Sequence, residues 1–140
     1  MKALSLPRPF AWALLTGHID IYRQPGLPVH AGRLLIHVGD DASQATTRAA
    51  LRQVAERSGT DMALLRNAYD QQCALQAITG ALTVTGLGWD FSSGGAEPVS
   101  YTVTGASRAF RPVSCHGCTG FFDVPQAVID ELDIPGYVER

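Results

Sequence analysis

The chain is poor in cysteine, has no long hydrophobic run and lacks the short motifs that announce a chemistry. Its three cysteines in 140 residues, Cys73, Cys115 and Cys118, form an odd and scattered set that implies no disulfide framework. "CHGC" at 115–118 is a single Cys-x-x-Cys pair. A structural zinc site needs four ligands, and no second pair is present, so neither a metal nor a cofactor is expected. No thioredoxin-like βαβ context surrounds the pair to make it a redox couple. No apolar stretch approaches the roughly 20 residues of a membrane-spanning helix. The opening "MKALSLPRPFAWALLTG" has the lysine and apolar tract of a signal peptide, but Pro7, Arg8 and Pro9 interrupt that tract, and the chain is read as cytoplasmic. There is no P-loop, no Ser-His-Asp signature and no paired-carboxylate motif. Repeats and low-complexity tracts are absent as well.

What remains is the composition of a globular domain, 46% hydrophobic and 17% charged with a net charge of −2. The length suits one domain over residues 1–140. The charges are uneven. Up to His37, Lys2, Arg8, Arg23 and Arg33 face only Asp20, whereas the last twenty residues hold Asp123, Asp130, Glu131, Asp133 and Glu139 against Arg140. One basic and one acidic pole are expected, an asymmetry able to focus a field on an anionic ligand.

Pro9 suits the first turn of a helix and Gly17 the position just past its end, which predicts a short helix over 9–16 with Phe10, Ala11, Leu14 and Leu15 facing a core. Ile19 and Ile21 alternate with Asp20 and Tyr22, giving a brief strand that Pro25, Gly26 and Pro28 turn into a loop. "RLLIHVG", 33–39, reads as a strand with Leu34, Ile36 and Val38 on one face and Arg33, Leu35 and His37 on the other. Residues 43–57 and 61–73 have helical composition, are divided by "SGT", and offer Ser43 and Thr60 as N-caps and Gly59 as a stop, predicting an αα-hairpin. A long strand over 76–85 follows, with Gly80 marking a bulge. "VSYTVTG" and "GFFDV" are further strands, and Pro125 opens a short terminal helix. Helices grouped between strands predict an α+β domain on a small β-barrel.

Among four histidines, His37 is the best placed general base, since it shares a strand face with Arg33. Arg8, Arg23, Arg33, Arg108 and Arg111, interleaved with Phe10, Trp12, Tyr22 and Phe110, supply cationic forks for phosphate and rings for base stacking, the two needs of single-stranded nucleic acid.

"KALSLPRPFAWALLTG", "HAGRLLIHVG" and "RAFRPVSCHGCTGFFDVP" together resemble the ASCH domain, a small β-barrel related to the PUA fold. They match that family's opening helix, its Arg-Gly-x-Leu-x-Ile-His-Ala strand and its closing strands, and bracket nearly the whole chain. The family's functional signature, Gly-x-Lys-x-x-Glu-x-Arg, follows the first helix and lines a cleft between helix and barrel. Here Gly17 matches, but Ile19 stands at the lysine, Tyr22 at the glutamate and Gln24 at the arginine. Some ASCH-like enzymes deacetylate N4-acetylcytidine with that lysine, and isoleucine neither attacks a carbonyl nor takes a proton, so the resemblance does not carry that activity to this chain. Arg23 is one place from the signature arginine and faces the other way in an unbulged strand.

The resemblance implies a binding module for RNA, single-stranded nucleic acid or a modified nucleotide. Its expected site is a cleft lined by Ser5, Arg8, Trp12, Tyr22, Arg23, Arg33 and His37. The alternatives are a ribonuclease or amide hydrolase with His37 as base and Arg33 at the oxyanion, and a protein-binding scaffold presenting the hairpin 43–73. The oligomeric state is not written in the sequence.

Overall fold

A computed structural model describes residues 1–24, 26–39, 44–72, 76–92, 94–116 and 120–133. The elements run β1 (Lys2–Leu6), α1 (Arg8–Leu15), β2 (Ile21–Arg23), β3 (Gly32–Val38), α2 (Gln44–Ser58), α3 (Met62–Gln72), β4 (Ala77–Asp90), β5 (Glu97–Ser114), β6 (Phe121–Asp123) and α4 (Gln126–Glu131). The strands form one sheet in the order β2-β5-β4-β3-β1-β6. Among the described residues only β1 and β3 run parallel, with Ser5 opposite His37 and Leu6 opposite Val38. The class is α+β, as expected. The barrel is not closed: among the described residues β2 and β6 are separate edges.

Period-two burial explains how the sheet is covered. One face carries Leu4, Leu6, Leu34, Ile36, Val38, Leu82, Val84, Tyr101 and Val103, all packed with Ala11, Leu14 and Leu15 of α1. The other face carries Ala3, Leu35, Ile78, Ala81 and Val113, closed by Val124, Leu132, Phe122 and the α4 residues Val128 and Ile129. A third cluster joins Trp12 and Ala13, on the back of α1, to Leu51, Val54, Leu65 and Tyr69 of the αα-hairpin. α1 is thus gripped from two sides. Pro9 sits in its first turn, and Gly17 follows its end at φ 78° and donates to Leu14 O.

Two expectations need correction, and one element is new. Residues 2–6 form a strand; Ala3 and Ser5 alternate with Leu4 and Leu6, and pairing with β3 and β6 on both sides holds the segment extended. α3 is capped by Asp61, not Thr60, since Asp61 Oδ1 accepts the Ala63 N–H at 2.8 Å. The two poles are not separated at the sheet edge, because β1 lies beside β6 and Lys2 Nζ is 3.0 Å from Asp123 Oδ2. Ser43, Cys73 and Cys118 lie outside the described residues.

The predicted bulge at Gly80 is present as a register shift between Ile78 and Gly80. A Cβ there would meet Ser107 O at 2.5 Å and the Leu15 methyls at 2.8 and 2.9 Å. Gly80 therefore sets how closely α1 approaches the sheet. Gly80→Ala is expected to cost about 1–3 kcal/mol, the usual penalty for overpacking, read as a lowered urea midpoint with an unchanged slope. A variant as stable as the parent contradicts this contact.

Candidate functional site

Between α1, β2 and α2 lies a cleft of about 350 Å³ lined by Phe10, Ile19, Ile21, Tyr22, Arg23, Ala50, Gln53, Val54 and Arg57. Its size falls within the range of small-molecule sites. The α2 wall follows from helical geometry, since positions 50, 53, 54 and 57 repeat at i, i+3, i+4 and i+7 and share one face. The opposite wall comes from the chain leaving α1. β2 is an edge strand, so residues of both its faces reach the cleft around the free edge, Arg23 beside Tyr22.

The floor is apolar. Tyr22 is only 5% exposed, and its ring meets Phe10 edge-on at 5.7 Å. Its hydroxyl donates to Gln24 Oε1 at 2.6 Å, and burial pushes the phenol up to about 12, so it stays protonated at neutral pH. The rim carries the guanidinium groups of Arg23 and Arg57, both exposed. Neither ion-pairs with a carboxylate among the described residues. Two positive charges over an apolar, partly aromatic floor suit a ligand with an anionic end and a flat apolar body.

Of the seven residues expected in one cleft, only Tyr22 and Arg23 line this one. Arg8 is directed to α3, where its Nε donates to Tyr69 Oη at 2.7 Å and its Cζ stands 4.4 Å from that ring's centroid. Trp12 is 4% exposed and sits in the α1–hairpin cluster, stacked on His18 at 4.7 Å, its Nε1 without a hydrogen-bond partner among the described residues. Ser5, Arg33 and His37 belong to the sheet face turned away from α1, the face of Ala3 and Leu35. Arg33 Nη1 donates to Gly105 O at 3.2 Å. Arg33 and His37 do share a strand face, but that face is not an open cleft at His37.

His37 is completely buried. Its Nε2 lies 2.7 Å from Cys115 O, and a carbonyl only accepts, so Nε2 carries the proton and Nδ1 accepts from Ser5 Oγ at 3.0 Å. Phe122 closes the ring edge-on at 5.4 Å. Burial holds its pKa below the usual histidine value, with nearby His116 acting in the same direction and the Cys115 bond opposing. The imidazole ties β1, β3 and the end of β5 together.

Sequence reasoning missed Gln53 and Arg57 as site residues. Their spacing from Ala50 and Val54 places them beside the buried stripe of α2, which was the available clue; what faces that stripe is a long-range fact.

No family model matches the sequence, and no curated protein is significantly similar to it. Among solved structures the chain is similar to ASCH from Zymomonas mobilis at 10% identity and a TM-score of 0.54, covering 94% of this chain and 95% of that one. Two point variants of that protein match equally well, with the same TM-score. The fold is that of ASCH proteins. Ile19 and Tyr22 line the cleft, and Gln24 holds the Tyr22 hydroxyl.

Burial lowers the pKa of His37, and of half-buried His18, from 6.5. The unfolded chain therefore binds more protons below about pH 6.5, and stability is complete above that pH and lost as pH falls below it. Urea midpoints at pH 7.5 and 5.5 check this. The drop is expected to be smaller in His37→Gln, which cannot titrate, and an equal drop in both proteins contradicts it.

Proposed function

We propose that this chain is a binding module whose cleft between α1, β2 and α2 holds a nucleoside phosphate, either free or within a single strand of RNA. The observation that carries the reading is the pair Arg23 and Arg57, without carboxylate partners among the described residues, above a floor of Phe10, Ile19, Ile21 and Val54. Guanidinium forks match phosphate oxygens, and the apolar floor beneath them accepts the less polar body of a nucleotide. The likeness of the fold to ASCH, and the sequence resemblance that sets Ile19 and Tyr22 at signature positions, support the reading.

The chemistry of the lining supports holding a ligand over converting it. A general base must come within hydrogen-bond reach of the proton it removes, and His37 is enclosed on the far face of the sheet. The Tyr22 phenol, at about 12, is no nucleophile at neutral pH. The scaffold alternative has less to offer, because the apolar stripe of the αα-hairpin is already packed on Trp12 and Ala13.

Two neutralised phosphate charges give a slope of about −1.4 in log K against log salt for a single strand. Fluorescence titration of hexauridylate and of uridine monophosphate at several salt concentrations measures it. Arg23→Ala and Arg57→Ala are each expected to halve the slope, whereas Arg8→Ala leaves it unchanged. Binding that persists with an unaltered slope in the Arg23→Ala, Arg57→Ala double variant removes the proposal.

A further inference from the structure

On the other side of Ile19 lies a second cleft of about 370 Å³, and Ile19 lines both. The walls of the second come from Leu14, Leu15, Thr16 and Gly17 at the end of α1, from Asp20, and from Val103–Ala106 of β5. Its charged lining side chain, Asp20, has the opposite sign to Arg23 and Arg57 of the first. The last turn of α1 brings the negative end of the helix dipole. The Asp20 side chain is exposed and has no hydrogen bond or ion pair among the described residues, and the same holds for the Thr104 hydroxyl. Asp20 is fixed all the same, since its carbonyl accepts the Val103 N–H at 2.9 Å. Its Cα stands three residues from Arg23, about 10 Å of extended chain, a length comparable to that of a nucleoside monophosphate.

We infer that the two clefts form one bipartite site, the Arg23–Arg57 cleft taking the phosphate and the Asp20–Thr104 cleft taking a base that bears an exocyclic amino group. The inference rests on the nucleoside-phosphate reading of the first cleft and adds the class of base. A carboxylate only accepts hydrogen bonds, so Asp20 attracts an amino group and repels the carbonyl that replaces it in an otherwise similar ring. Ile19, at the septum, lets the sugar and ring edge cross without a competing charge.

The test compares ligands that differ in that group, cytidine against uridine monophosphate and adenosine against inosine monophosphate, together with hexacytidylate against hexauridylate. Each is titrated against the parent chain, Asp20→Asn and Arg23→Ala. The amino-bearing ligand is expected to bind about fivefold tighter or more, the discrimination a well-placed base-edge contact provides. Asp20→Asn, whose amide serves donor and acceptor alike, is expected to erase the difference while leaving the salt slope intact. Discrimination in the monomers, the hexamers or both supports the inference, and the set that shows it separates a free nucleotide from a strand. Equal affinities, or a preference untouched by Asp20→Asn, overturn the base cleft; if binding then still falls in Arg23→Ala, the phosphate reading survives. Absence of binding by every ligand overturns both.

Discussion

The structure depends on one short helix being buried on two sides. Six of the eight residues of α1 are buried, with Ala11, Leu14 and Leu15 against the sheet and Trp12 and Ala13 against the αα-hairpin. An isolated helix of this length is not stable in water, so packing holds it. Because α1 touches β2, β3, β4 and β5 as well as α2 and α3, its position sets the spacing between sheet and hairpin. The first cleft lies in that spacing, and the second lies under the end of the same helix.

The segment leaving α1 supplies a wall of both clefts. Gly17 turns the chain, and within seven residues it passes Ile19, Asp20, Tyr22 and Arg23. Tyr22 fills the core and anchors the segment, which leaves Asp20 and Arg23 exposed on either side of Ile19. Ile19 thus has a carboxylate in the cleft on one side and two guanidinium groups in the cleft on the other.

Much of the fold was legible because it is locally encoded. Pro9 and Gly17 bracket α1, "SGT" separates α2 from α3, and alternation gives β3 and its two faces one residue from where they are observed. Gly80 is a bulge, as its place in an alternating strand suggested. β1 was not legible, since five residues with a mild alternation become a strand only because β3 and β6 flank them. The expected residues came together only in part, for a related reason. Strand period placed Arg33 and His37 on one face correctly, but period says nothing of what covers a face, and Phe122 and Cys115, some eighty residues on, enclose the imidazole. Arg8 was drawn away by Tyr69, and Arg57 joined the cleft from a helix thirty residues downstream of it, two long-range facts.

The central claim, that ligand binding occurs beside α1 and not on the far face of the sheet, is tested most directly by amide chemical shifts of the labelled chain titrated with cytidine monophosphate. Shifts concentrated on residues 19–23, 50–57 and 103–106, with Ser5, Arg33 and His37 unmoved, are predicted. Shifts centred on Ser5, Arg33 and His37 would contradict it.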